Sequence, residues 1–77
     1  MNAGRPAKNS RPPFGERLYK ARTNKGLTQD QMASQLGITQ TAYTLWERRT
    51  IALREDQIKM LVQILGVTPN YLYGQEE

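Results

Sequence analysis

The sequence predicts a single all-α domain of five short helices. Three observations lead there. With 77 residues the chain makes one small domain, which buries only about 60% of its unfolded surface. Apolar residues recur at three- and four-residue spacing along most of its length. Residues 28–48, TQDQMASQLGITQTAYTLWER, read as two short helices hinged at Gly37, and the second sets a polar face opposite an apolar one.

Each element follows from its own signals. Residues 1–11, MNAGRPAKNSR, lack periodic apolar positions and are expected to form a flexible basic arm. Pro12 and Pro13 suit the first turn of helix 1, Phe14, Leu18 and Ala21 form its inward stripe, and Gly26 ends it. Helix 2 opens at Thr28 with Gln31 three residues on, a capping box, and buries Met32, Ala33 and Leu36. Gly37 stops it in a left-handed conformation and Ile38 seals the end. Thr39 caps helix 3. Helix 4 carries Ile58, Leu61, Val62 and Leu65 on one stripe and Met60 and Ile64 on a second, so one flank needs cover from helix 5 or from a second subunit. Helix 5 opens at Thr68 and Pro69 and carries Tyr71, Leu72 and Tyr73. The expected division is arm 1–11, domain 12–74 and tail 75–77.

Composition narrows the chemistry. The chain has no Cys and no His, which removes disulfides, thiolate metal sites and the usual base near neutral pH. No catalytic residue, metal ligand, cofactor or small-molecule ligand is expected, and no apolar run approaches membrane-spanning length. A cytoplasmic protein, not an enzyme, is the reading. Net charge is +4, but residues 1–25 hold seven basic residues against Glu16, whereas residues 26–77 hold four against six acidic ones. Such asymmetry suits a polyanion contacted on one side.

Helix 3 carries the functional signal. At about 100° per residue, Ala42, Tyr43 and Trp46 share one side, and Gln40, Thr41, Thr44, Leu45 and Arg48 an arc of about 140° on the other. Gln pairs with adenine, Arg with guanine or phosphate, and the methyls of Thr or Leu with the thymine methyl. Tyr43 and Trp46, which beside basic residues can stack single-stranded bases, lie on the anchoring side and are read as core.

The residues from 28 to 48 resemble the helix-turn-helix of the lambda-repressor-like (Cro/CI-type, XRE-type) family, formed by helices 2 and 3. RLYKARTNKGLTQ (17–29) is similar to that family's first helix and link, and DQIKMLVQILGVTPNYL (56–72) to its fourth and fifth helices. The resemblance covers about residues 13–74. It implies a sequence-specific double-stranded DNA-binding regulator, a small repressor acting as a homodimer on a palindromic operator. The setting would be the cytoplasm of a bacterium or phage-infected cell.

By the same resemblance Gln40, Thr41, Thr44 and Leu45 read bases, while Gln29, Arg48, Arg49, Thr50 and Arg17 meet phosphates. The Gln29 and Gln40 amides are expected to bond each other, and Arg22 and Glu47 to pair between helices 1 and 3. Arg5, Lys8 and Arg11 of the arm are candidates for the minor groove, since Gly4-Arg5-Pro6 resembles the centre of an AT-hook without its preceding Arg. Met60, Ile64, Tyr71, Leu72 and Tyr73 are the candidate dimer surface.

The chain departs from the family at Leu45, where relatives usually have a polar or basic side chain and an apolar one can pack only on thymine methyls or sugars, at Arg49, where relatives have Gly, at Leu53, where they have Pro, and at Arg54, where they have a Ser-type cap. Either the exit from helix 3 differs or a non-Gly residue is held at positive φ. An antitoxin of a toxin–antitoxin pair and a protein-interaction module reusing the fold stand as alternatives.

Overall fold

The computed structural model describes residues 11–74. It contains helices α1 (Pro13–Asn24), α2 (Gln29–Leu36), α3 (Gln40–Arg48), α4 (Glu55–Leu65) and α5 (Pro69–Leu72), with no strand among the described residues. The Gly4-Arg5-Pro6 hook, Arg5, Lys8 and the tail 75–77 lie outside them.

Local chemistry sets each boundary. Pro12 and Pro13 open α1. The Thr28 hydroxyl accepts from the Gln31 N–H at 3.0 Å, and the Gln31 side chain accepts from the Thr28 N–H at 2.8 Å, the reciprocal capping box. Gly37, at φ +74°, ends α2. The Ile38 N–H then reaches the Ala33 carbonyl and the Gly37 N–H the Ser34 carbonyl, which satisfies the last turn and fixes the turn into α3. Thr39 and Thr68 cap α3 and α5 by accepting from Ala42 and Tyr71 N–H groups.

The stretch between α3 and α4 resolves the choice left open at Arg49. Arg49 is extended (φ −129°, ψ 158°), and no described non-Gly residue has positive φ. The chain therefore leaves α3 along an extended segment, without backbone strain. Arg54 precedes α4 with half of a capping box: Gln57 accepts from the Arg54 N–H at 2.8 Å. A guanidinium cannot accept in return, and it donates to exposed Asp56 at 3.2 Å.

Leu18, Ala21, Met32, Ala33, Leu36, Tyr43, Trp46, Ile58, Leu61, Leu65 and Leu72 form one core. α1 packs on α3 and α5, α2 on α3 and α4, and α4 on α5. Leu72 is fully buried in that core, which corrects its assignment to a dimer surface: α5 turns it inward to close the domain. Ile64 and Tyr71 pack half-buried against the same core, while Met60 and Tyr73 remain exposed.

Candidate nucleic-acid interface

The inner face of α3 is fastened by a polar network. Arg22, 8% exposed, donates from Nε to Glu47 Oε2 at 2.7 Å and from Nη2 to Oε1 at 3.4 Å. Glu47, 0% exposed, also accepts from the Tyr43 hydroxyl at 2.5 Å and from Gln29 Nε2 at 3.2 Å. Arg22 Nη1 reaches the Leu27 carbonyl at 2.8 Å, and the Thr44 hydroxyl donates to Gln29 Oε1 at 3.1 Å. One carboxylate thus ties α1, the link after it, the first residue of α2 and α3 together.

The electrostatics of this cluster are self-consistent. Burial works to lower the Arg22 pKa, but the hydrogen bond and charge of Glu47 outweigh it and hold the guanidinium above its ordinary value. Burial, then the hydrogen bond and charge of Glu47, push the Tyr43 hydroxyl well above its ordinary range, so it stays a donor.

The outer face of α3 has the opposite character. The side chains of Gln40, Thr41, Leu45, Arg48, Arg49 and Thr50 are exposed and make no hydrogen bond or ion pair among the described residues. The sole carboxylate of α3, Glu47, faces inward on Arg22. What remains outside is neutral at the helix start and cationic at its end.

Other expected residues stand elsewhere. Gln29 does not bond Gln40; its amide is turned in to Glu47 and Thr44, because Glu47 is buried and needs donors beyond Arg22. Its amide oxygen and one amide N–H are therefore engaged within the protein. Arg17 lies five residues from Arg22, about 140° round α1, with its guanidinium 5.5 Å from the Tyr71 ring on the α1–α5 side. Arg11 does not belong to a free arm: it sits 4.0 Å over the Tyr19 ring and 3.6 Å from Glu16.

Sequence reasoning missed Gly15. It is buried in α1, and a Cβ there would fall 2.1 Å from the Glu47 carbonyl oxygen. The backbones of α1 and α3 meet where only hydrogen fits. A Gly inside a helical pattern, four residues before Tyr19 and in no turn, was the available signal.

A helix-turn-helix domain family model matches residues 15–77. The chain is 45% identical over 62 residues to the SPbeta prophage-derived HTH-type transcriptional regulator YonR of Bacillus subtilis, covering 77% of this chain and 55% of YonR. It is 36% identical over 64 residues to the HTH-type transcriptional activator BcrR of Enterococcus faecalis, covering 83% of this chain and 31% of BcrR. The chain thus spans about half the length of the first and a third of the second. The crystal structure of the restriction-modification controller protein C.AhdI from Aeromonas hydrophila superposes with a TM-score of 0.69 at 32% identity, over 78% of this chain and 91% of that one.

Proposed function

This chain belongs to the XRE-type helix-turn-helix domain family, and from that premise we propose that it is a sequence-specific double-stranded DNA-binding transcriptional regulator that reads the major groove with α3. The observation that carries this is the division of α3 into a fastened inner face and an unbonded outer face free of carboxylate. Docked with its N-terminal end in the groove, α3 brings Gln40 and Thr41 to base edges and leaves Arg48, Arg49 and Thr50 for phosphates. The inner network holds that presentation rigid, so little side-chain freedom remains to be lost on the protein's inner side when DNA binds.

The chain acts as a homodimer on a palindromic operator, with two reading helices about 34 Å apart. Exposed Met60 and Tyr73, beside half-buried Ile64 and Tyr71, are the apolar groups a second copy would cover. Occupancy alone blocks a promoter, so repression is the sign we adopt; with one relative named as an activator, a reporter assay has two definite outcomes.

Selection from randomised duplex DNA at near-physiological salt, with excess competitor, tests the reading. An enriched inverted repeat is expected. A pool that stays random would contradict sequence-specific binding, and an enriched site lacking two-fold symmetry would contradict the dimer.

A further inference from the structure

We infer that Leu45 reads the C5-methyl group of a thymine in the preferred sequence, while Thr44 is withdrawn from base reading by Gln29. This rests on the proposed reading of DNA by α3 and specifies its chemistry. Thr44 and Leu45 are neighbours in sequence, but the fold treats them oppositely. Thr44 is half-buried and its hydroxyl proton is committed to Gln29 Oε1 at 3.1 Å, an amide itself held by Glu47. Leu45 is 37% exposed and stands on the far edge of the outer arc.

A single exposed Leu carries little meaning, but this one has informative neighbours. It lies one turn after Thr41 and one turn before Arg48 and Arg49, all exposed. Of the large apolar side chains exposed among the described residues, Leu45, Ile51, Met60 and Tyr73, it alone is on α3. Flanking cations favour a phosphate-lined groove as the surface that covers it. In the major groove the four natural bases present donors and acceptors, and one apolar group, the thymine methyl. Leu has neither donor nor acceptor. Against any other base edge it would desolvate a polar atom without replacing its hydrogen bond; against thymine it buries a methyl.

The test replaces each thymine of the selected site singly by deoxyuridine, which removes only the methyl, and measures binding by wild type, Leu45→Ala and Thr44→Ala. At one thymine of the recognised sequence wild type and Thr44→Ala are expected to lose about fourfold, the worth of one buried methyl group, and Leu45→Ala almost nothing. Equal losses in wild type and Leu45→Ala at every thymine, or a preferred site without thymine, would overturn the role of Leu45 and leave DNA reading intact. Altered base preference in Thr44→Ala would overturn the withdrawal of Thr44. No preferred site for the wild-type chain would overturn both the inference and the function it rests on.

Discussion

Two seams hold this domain together by different chemistry. Where α1, α2 and α3 meet, the joint is a buried carboxylate taking donors from Arg22, Tyr43 and Gln29. Where α4 and α5 meet the rest, it is apolar packing by Ile58, Leu61, Leu65 and Leu72. Apolar contact is non-directional and tolerates small rearrangement. A buried carboxylate does not, because each donor must stay within hydrogen-bond geometry or leave a desolvated charge. The directional joint lies behind α3, whose outer face the proposed DNA reading requires to be presented accurately; the tolerant one closes the far side of the domain.

The largest effect that would break this contrast comes from Glu47. Glu47→Ala leaves the Arg22 guanidinium buried without its carboxylate and should cost about 3–5 kcal/mol. Domains have about 5–15 kcal/mol in total, and one this small sits at the lower end. Urea unfolding should therefore show a chain left with about 2 kcal/mol or less, its transition moved close to zero denaturant. A midpoint within experimental error of wild type would show that the network is ornamental.

Gly15→Ala tests the same joint through the backbone. Helix propensity alone favours Ala by about 1 kcal/mol, but the added carbon would meet the Glu47 carbonyl, a backbone atom that cannot swing away. A net loss of about 1–3 kcal/mol is expected, and a gain in melting temperature would show that α1 and α3 can separate freely.

On the tolerant side the expected change is smaller and opposite in sign. Arg54 supplies no acceptor to the start of α4, although Gln57 is already in place for the other half of the box. Arg54→Ser should complete it and stabilise the domain by about 1 kcal/mol; no change in unfolding free energy would count against the assigned cap position.

Smallest within the physiological range is the response to pH. The Tyr43 pKa is raised in the fold by burial and by Glu47. Below the ordinary tyrosine value of about 10, Tyr43 is protonated folded or unfolded and its contribution is constant. Above it the unfolded chain loses the proton first, so stability should fall as pH rises from there toward the folded pKa. Unfolding followed from neutral to alkaline pH, with Tyr43→Phe for comparison, checks this; an alkaline loss that is unchanged in Tyr43→Phe assigns it to other tyrosines.

What was legible in the sequence was local. Thr28 with Gln31, Gly37 with Ile38, and Thr39 announce helix ends because their partners lie within a few residues, and the structure forms each bond. The inner and outer faces of α3 follow from periodicity alone. Gln29 was misdirected because its partner, Glu47, lies 18 residues away and its donor need arises only from burial. Leu72 and Tyr73 look alike as apolar residues, yet the packing of α5 sends Leu72 to the core and leaves Tyr73 outside against Phe14 at 5.2 Å between ring centres. Gly15 has no local partner to betray it, since the close approach comes from another helix.

The central claim is that the unbonded outer face of α3 reads sequence while the network behind it supplies only position. Gln40→Ala tests it most directly, with affinity measured on the selected site and on random duplex, beside the unfolding midpoint. The account predicts a loss of about 1–3 kcal/mol on the selected site, with affinity for random DNA and stability unchanged. Equal losses on both DNAs would contradict it.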